Sequence, residues 1–456
     1  MIVIRKSKWT GKLLLLALML VTILGKGWAQ KDSAKLLKLE EAITSATNNN
    51  RSVKLAKQEE QIVLAKYRQT EAIYLPQVGL SYTAMTTNNP LNAFGFKLQQ
   101  KTIAAADFNP ATLNHPNGTP DFTTKLDLQQ PIINMDMLYM RKAAAVQKDI
   151  YAYKTERTQE YIAFEVKKAY LQLGVAYDAV KVLEEALATA KQIKKFTTNY
   201  YNQGLVQKTE VLNAEVFVAT TETNLAKAKS SIYNASDYLG LLMGKGNGVV
   251  YTVEEVAPSI NKDAAKLSDT RPDFMAMQKG IEATDCMIQS YKMAAYPKLN
   301  AFASYQLNDA SMLGFGANAY LAGVQLSWNI FSGNKNKNAI ATQQLERNKM
   351  ADELQQQKEQ NMVELNKTQR DITDAQTEML QHQTSIRQAE ERLRMLQNRF
   401  EQGLVNTTDI MMATTQVSQE KLANRQALFN LNLSQAYLQL LISSSSKTKQ
   451  LYAFIY

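Results

Sequence analysis

Tyr201-Asn202-Gln203-Gly204-Leu205-Val206 and Phe400-Glu401-Gln402-Gly403-Leu404-Val405 are two similar stretches that lie 199 residues apart. In each stretch a glycine interrupts a long apolar periodicity, as is typical of a helix C-terminus. The sequence therefore predicts a duplicated unit with a helical hairpin that turns at each glycine. Further positions match at the same offset without a gap, namely Thr209 with Thr408, Glu210 with Asp409, Val211 with Ile410, Ala214 with Ala413 and Tyr238 with Tyr437.

The segments on either side of each glycine have the pattern of long helices. No proline lies between Pro131 and Pro258 or after Pro297, and these segments are rich in good helix formers. Apolar residues recur at intervals of seven, which indicates supercoiled packing of helices. We predict helical hairpins over 134–242 and 334–442, and an outgoing helix of about 67 residues is about 100 Å long.

Four β-strands are predicted, two ahead of each hairpin, because the apolar period changes there from about 3.6 residues to 2. Each strand is about as long as a tilted strand that crosses a bilayer. Segment 86–121 between the first two strands carries several Asn-Pro turn signals and is predicted to be a loop. The predicted strands lie at about 77–85, 122–130, 298–307 and 318–331.

The number of strands has a consequence for assembly. Four strands cannot close a barrel, and unpaired strand edges are not tolerated in lipid. We therefore expect several copies of the chain to share one barrel. Two copies would give the smallest reasonable barrel of about eight strands, whereas three would give a wider, open bore.

The remaining segments complete two repeats. A helical pattern over 36–73, interrupted at Asn48-Asn49-Asn50, ends at Leu75-Pro76. Arg271-Pro272-Asp273 opens a matching helix that ends at Tyr296-Pro297. We therefore divide the chain into a first repeat over 30–248, a connector over 249–270 with a short possible strand at 249–253, a second repeat over 271–442 and a tail over 443–456.

The first 29 residues have the pattern of a signal peptide. Basic residues precede an apolar run over 13–24, and Gly27-Trp28-Ala29 has small residues at both ends of a cleavage triplet. The apolar run is too short for a comfortable membrane-spanning helix. No cysteine follows it, so a lipid-modified N-terminus is not supported. We expect an exported protein.

Composition excludes several classes of function. The formal net charge is +10, and five basic residues with no acidic residue lie in 1–29, which leaves +5 for the rest of the chain. A nucleic-acid-binding protein would carry a stronger and more clustered positive charge. One cysteine, Cys286, and two distant histidines cannot form a metal site of the usual spacing. No nucleophile–base pair, phosphate loop or paired-carboxylate motif is present, so we expect neither an enzyme nor a cofactor.

The duplicated order of elements resembles the TolC family of outer membrane efflux proteins, the outer membrane factors, over essentially the whole mature chain. The resemblance is carried by Arg271-Pro272-Asp273, by Tyr296-Pro297, by the two glycine turns and by the equal lengths of the long helices. It implies a mainly α fold with membrane β-strands. The implied assembly is a homotrimer, with a 12-stranded outer membrane β-barrel continued by a periplasmic α-helical coiled-coil barrel.

The resemblance also implies a function, a location and partners. Family members lie in outer membrane lipid and extend into the periplasm. They dock on a periplasmic adaptor, or membrane fusion protein, and through it on an inner-membrane pump of RND or ABC type. We therefore expect a passive duct for small molecules. Two alternatives are a type I protein secretion duct of the same fold and, from another class, a periplasmic coiled-coil scaffold or adaptor without a barrel.

In this family the glycine turns lie at the periplasmic end of the tunnel, where acidic side chains ring a constriction. By position, the resemblance assigns a periplasmic gate to Thr209, Glu210, Phe400, Asp409 and Met412. Met412 stands where the family has a second acid, and the arginine two residues after the tip glycine is replaced by a valine. We therefore expect apolar packing to hold this gate. The alternative reading is that both acids only complement the dipoles of their helices.

The apolar tips form a second candidate site. Exposed apolar residues at a hairpin tip suggest a docking surface. The resemblance implies that the partner is the periplasmic adaptor, and the alternative is packing on a neighbouring hairpin. The predicted docking residues are Gly204, Leu205, Val206, Gly403, Leu404 and Val405.

Overall fold

The computed structural model describes residues 35–246, 248–258 and 266–446. The predicted signal peptide and residues 447–456 of the tail lie outside the described residues. In chain order the elements are β1 (Lys35–Leu37), α1 (Leu39–Asn49), α2 (Arg51–Gln69), β2 (Gln77–Thr87), α3 (Pro90–Gln99), α4 (Pro110–Asn114), β3 (Thr119–Ile133), α5 (Met135–Asn202), α6 (Lys208–Leu242), β4 (Tyr251–Val253), α7 (Pro272–Met293), β5 (Lys298–Asp309), β6 (Ala317–Ser327), α8 (Lys335–Glu401) and α9 (Thr407–Ile442).

The four long strands form one antiparallel sheet in the order β2-β3-β5-β6. The two repeats meet in its middle, where β3 pairs with β5. The last strand ends at Ser327, four residues before the predicted end at 331. Directly after the strand, the indole nitrogen of Trp328 donates to the carbonyl of Ala295 at 2.9 Å. The chain then turns toward α8 at Gly333 and Asn334, which both have positive φ values.

The loop predicted over 86–121 is wrong in part, because it contains the ten-residue helix α3 and the short helix α4. Asn89-Pro90 and Asn109-Pro110 begin these helices instead of turns. The Asn89 side chain accepts a hydrogen bond from the amide of Asn92 at 3.2 Å, and Asn109 does the same for Ala111 at 3.0 Å. Asparagine at the N-cap followed by proline at the first helical position is a standard helix start.

The N-terminal end of the helical pattern over 36–73 is also corrected. Residues 35–37 form β1, which pairs in parallel with β4 across more than 200 residues. The break between α1 and α2 is at Asn50, within the predicted triplet. Its side chain accepts a hydrogen bond from the amide of Ser52 at 2.8 Å and donates to the carbonyl of Leu242 at 2.8 Å, so one residue both caps a helix and ties the outer layer to the hairpin.

The largest apolar core lies where α5, α6, α1 and the β1–β4 pair meet. Val166, Leu173 and Leu239 are fully buried in it. Tyr170 is buried in the same cluster, where its hydroxyl donates to the carbonyl of Leu37 and accepts from the amide of Glu254, both at 2.9 Å. The side of a long helix thus holds both β1, from the start of the first repeat, and the end of the connector strand β4.

Arg271 of the Arg-Pro-Asp motif is 1% exposed and lies at the junction of α7, α8 and α9. Its guanidinium pairs with Asp273 through two hydrogen bonds, of 3.0 and 2.6 Å. It also donates to the side chain of Asn361 at 3.0 Å and to the carbonyl of Leu441 at 3.2 Å. The motif is therefore a buried structural joint that links three helices.

The long helices pack side by side in the order α6-α5-α9-α8. Helices α6 and α8 form the lateral edges of this layer, as β2 and β6 form the edges of the sheet. Sheet and helices are continuous, because β3 runs directly into α5 and only seven residues separate β6 from α8.

Among the described helices, none combines the length and the apolar character that a membrane crossing requires.

Candidate functional site at the hairpin tips

Both glycine turns have the same backbone geometry. Gly204 and Gly403 have φ values of +75° and +72°. Beyond each glycine, the amide of Leu205 donates to the carbonyl of Tyr200 and that of Leu404 to the carbonyl of Arg399, both at 2.9 Å. These bonds from residue i to residue i−5 are the Schellman motif, which ends a helix on a left-handed glycine.

The tips are apolar and exposed at their ends. Leu205 is 67% exposed and Leu404 is 62% exposed. The following residues, Val206 and Val405, are half-buried. The structure thus places one large apolar side chain at the end of each hairpin and a second one against the hairpin body.

The return helices begin differently in the two hairpins. Asn406 is the N-cap of α9, and its side chain accepts a hydrogen bond from the amide of Asp409 at 2.8 Å. Gln207 has the same position before α6 but makes no capping bond to the backbone. Thr209 instead donates weakly to the Gln207 side chain at 3.5 Å. The second tip is therefore the better capped of the two.

The two candidate gate acids lie in the first turns of α6 and α9 and are both half-buried. One carboxylate oxygen of Glu210, Oε2, is buried and has no hydrogen-bond partner among the described residues. A buried carboxylate oxygen without a donor is costly, so a partner from outside the described chain would stabilise it. Each acid also complements the dipole of its own helix.

Phe400 packs between the two hairpins. It is 4% exposed and forms an apolar cluster with Ile193 and Ile410, against which Met411 is partly buried. The ring of Tyr200 lies 5.9 Å from that of Phe400, between centroids. Phe400 therefore acts through packing that joins α5, α8 and α9.

Tyr200 makes a polar contact across the tips that sequence reasoning missed. Its hydroxyl donates to the carbonyl of Glu401 at 2.9 Å, at the C-terminus of α8, where carbonyl groups lack helical partners. Buried Thr197 and Thr407 meet nearby, with their hydroxyl oxygens 3.4 Å apart. The only sequence signal is a break in the repeat, since Tyr200 aligns with Arg399 at the 199-residue offset.

Met412 lies on a different surface from Phe400. It is 54% exposed and lines a groove between α6 and α9, beside Met411, Val216 and Phe217. The groove encloses about 660 Å³. The structure thus places Phe400 in a buried joint and Met412 beside an open groove of mixed lining, in which Asn, Thr and Ser side chains lie next to the apolar ones.

Farther from the tips, ion pairs join the hairpins. Lys421 of α9 lies 3.0 Å from Glu185 of α5 and 3.0 Å from Glu390 of α8. Burial of Lys421 opposes its charge, but the hydrogen bonds that the lysine donates to these two carboxylates outweigh burial and raise its pKa. His382 of α8 lies 2.9 Å from Glu420 of α9 through Nδ1. The contact between Lys421 and Glu185 therefore joins the two hairpins, whereas the contacts of Glu390 and His382 join α8 to α9 within the second hairpin.

Nothing in the described part of the chain groups three or more metal-ligating side chains. The tips instead combine exposed apolar ends, a buried aromatic joint and two acids at helix N-termini. Such a surface can bind a protein partner and influence the passage of ions.

Known proteins share this fold. Residues of the chain are 23% identical over 310 positions to the probable outer membrane lipoprotein SilC of Salmonella typhimurium, which covers 65% of this chain and 61% of SilC. The outer membrane channel CmeC of Campylobacter jejuni superposes with a TM-score of 0.74 at 15% identity, over 94% of this chain and 93% of CmeC. The outer membrane protein VceC of Vibrio cholerae gives 0.73 at 18% identity, over 89% of this chain and 96% of VceC.

The family itself is given by a sequence model. The model of the outer membrane efflux protein family matches residues 42–245 and 265–443, which include both hairpins, all four long strands and both glycine turns. The match is split at the connector, between the two repeats. The chain therefore belongs to the outer membrane efflux protein family.

Proposed function

We propose that three copies of this chain form a passive channel that spans the outer membrane and extends through the periplasm. The observation that carries the proposal is the two-faced sheet. One face carries Val78, Leu80, Tyr320, Val324 and Leu326, which are 62–83% exposed. Successive side chains alternate between faces, so this apolar face suits lipid and the opposite face suits water.

The opposite face of the sheet is polar. It carries Lys125 and Asp127 of β3, Gln306 of β5 and Gln325 of β6, which share a face by their pairing. A sheet that is apolar on one side and polar on the other is the pattern of a barrel with an aqueous interior. The polar face would therefore line the bore.

The edges of the sheet explain why more than one copy is needed. β2 and β6 are each 11 residues long and have one unpaired edge in the described chain. They run antiparallel to each other within the sheet, so β6 of one copy can pair with β2 of the next. Three copies give 12 strands, and the edge helices α6 and α8 meet in the same way to close the helical part.

We propose that the cargo is a small molecule delivered by a periplasmic adaptor and an inner-membrane pump of RND or ABC type. The family match supports an efflux role. A polypeptide cargo remains the alternative within the same fold, since only the partners differ. A periplasmic scaffold is disfavoured, because it would have no use for a sheet with a fully exposed apolar face. No catalytic step is involved.

At the periplasmic end, we propose that the tips dock on the adaptor and that Thr209, Glu210, Phe400, Asp409 and Met412 form the gate. The exposure of Leu205 and Leu404 supports docking. The buried joint around Phe400 supports a gate that opens by separating the hairpins. The exposure of Met412 beside the groove supports a gate whose lining has an apolar side chain at position 412.

The experiment is a drug-accumulation assay in cells that lack the gene and carry plasmid-encoded variants. Wild type should restore efflux, whereas Leu205→Glu with Leu404→Glu should abolish it while the trimer still reaches the outer membrane. Leu345→Glu, on an equally exposed leucine of α8 far from the tips, is the matched control. Restored efflux in the tip variant would disprove docking, and unchanged accumulation in the gene deletion would disprove the efflux role.

A further inference from the structure

The segment that joins β2 to β3, residues 88–118, has a defined shape. Lys97 Nζ lies 2.6 Å from Asp107 Oδ1. The rings of Phe94 and Phe108 meet edge to face, with centroids 5.7 Å apart. These contacts hold α3, α4 and the turn between them together as one unit, the β2–β3 cap (residues 88–118).

Asp121 fixes this cap to the sheet. Its side chain is fully buried near the start of β3. Gln100, the residue after α3, donates from Nε2 to Asp121 Oδ1 at 2.9 Å. Asn308 of β5 donates to Asp121 Oδ2 at 3.1 Å, and the Thr123 hydroxyl donates to the same oxygen at 2.6 Å. A buried carboxylate held by neutral donors depends on each of them, because a lost donor leaves charge unsatisfied.

A second contact lies beside this one. Gln100 Nε2 also donates to the carbonyl of Pro120 at 2.8 Å, and Gln100 is only 6% exposed. Lys101, in the left-handed conformation, reaches Asn318 of β6 at 3.1 Å. The end of α3 is therefore tied to both β3 and β6.

Strand alternation shows which face of the sheet the cap covers. Asp121 and Thr123 lie on the same face as Lys125 and Asp127, since side chains two residues apart share a face. Thr123 pairs with Asn308, which pairs in turn with Ala317, and Ala317 is only 2% exposed. Helix α3 contacts both β3 and β6. The cap therefore covers the polar face at the end of the sheet, and Lys101 reaches around the edge to Asn318, which shares the apolar face with Tyr320.

We propose that the β2–β3 cap folds into the external mouth of the channel and narrows it, with Gln100 and Asp121 as its latch. The proposal rests on the proposed function, in which the polar face lines the bore. The cap lies at the end of the sheet opposite the long helices, so three caps ring the outer mouth. The channel then has a restriction at each end, and the outer one sorts solutes by size.

The test uses thiol labelling on intact cells in a Cys286→Ser background. Gln306→Cys places a thiol on the polar face of β5, two residues from Asn308, which donates to the latch residue Asp121. A small membrane-impermeant maleimide should label it readily, and a bulky polyethylene-glycol maleimide should label it much more slowly. Adding Gln100→Ala should raise the bulky-reagent rate about tenfold, because a hydrogen bond to a charged group is lost.

Met312→Cys is the matched control, because Met312 is 73% exposed in the outer loop between β5 and β6. Both reagents should label it equally with and without Gln100→Ala. Equal rates for the two reagents at Gln306→Cys, or a bulky-reagent rate that Gln100→Ala leaves unchanged, would overturn the cap. The comparison of the two reagents at Gln306→Cys does not require Gln100→Ala. It therefore tests whether the cap narrows the mouth even where Gln100→Ala fails to assemble. Absence of labelling at Met312→Cys would instead reject the proposed orientation of the whole channel.

Discussion

Gly204 and Gly403 adopt left-handed backbone conformations, which a side chain disfavours although open space surrounds both. We predict that Gly403→Ala lowers the free energy of unfolding by about 1–2 kcal/mol, because an L-residue pays this cost in the left-handed region. Thermal unfolding of the detergent-solubilised protein measures the effect. Gly280→Ala, within helix α7, is the matched control and should be neutral or stabilising. Equal stability of Gly403→Ala and wild type would show that the turn changes its conformation.

Asp409 is the candidate gate acid of the second hairpin. Three copies of its carboxylate near one constriction would concentrate cations there. Asp409→Ala should therefore weaken block of the channel by multivalent cations by about tenfold in planar bilayers, as local concentration falls with the charge. Asp285→Ala, in α7 and paired with Arg347, is the control and should leave the block unchanged. Unchanged block by cations in Asp409→Ala would remove this residue from the gate.

The residues around Phe400 show what a sequence can and cannot predict at the tips. The left-handed glycines follow from local sequence, because few other residues tolerate that conformation. The contact between Tyr200 and the carbonyl of Glu401 does not, since it joins residues about 200 positions apart and depends on how two hairpins pack. The sequence shows that the two N-cap positions differ, with Gln207 in one hairpin and Asn406 in the other. Only the structure shows that Asn406 makes a capping hydrogen bond and Gln207 does not.

Arg271 is central to the packing of the helices, because its buried guanidinium links α7, α8 and α9. Arg271→Ala should lower the free energy of unfolding by about 3–5 kcal/mol, since it leaves Asp273 and two other acceptors without their donor. Arg394→Ala removes an exposed ion pair within α8 and should leave the free energy of unfolding almost unchanged, because solvent screens the pair. Denaturant unfolding of both variants provides the comparison. Similar losses in the two would contradict the role of the Arg-Pro-Asp motif as a joint.

The carboxyl group of Glu160, in α5, should make the free energy of unfolding depend on pH. Burial raises its pKa above the ordinary value of 4.5, although hydrogen bonds from Arg157 and Ser443 oppose the shift. Its contribution to stability is therefore fully present below about pH 4.5 and is lost as pH rises through the higher folded-state pKa. Glu160→Gln, which stays neutral, should gain stability relative to wild type over that range. Thermal unfolding as a function of pH tests this, and a constant difference between the two proteins would contradict it.

Long elements were predictable because their periodicity extends over many residues. Helices α5 and α8 and all four long strands lie where alternation or heptads predicted them. The strand β4 lies within the short strand predicted at 249–253, whereas β1 is too short to show a period and depends on its pairing with β4 across the chain. Helix α3 was missed because Asn-Pro begins turns and helices alike, and only the side chain of Asn89 distinguishes the two.

At the scale of the whole molecule, duplication gives two similar halves that differ where function is expected. The first repeat carries the β2–β3 cap, whereas the second joins its strands by only seven residues. The first tip has Glu210 with a poor cap, and the second has Asp409 with a good one. A trimer built from this chain would therefore have a threefold lining that only approximates sixfold symmetry, at both the tips and the mouth.

The central claim is that three copies of the chain, each with four strands and two unpaired strand edges in the described sheet, close one barrel. Native mass spectrometry of protein extracted from outer membranes in detergent measures the number of copies directly. We expect a single species of three chains that resists dilution, because closure leaves no free strand edge. A folded monomer or dimer that persists in the outer membrane extract would contradict it.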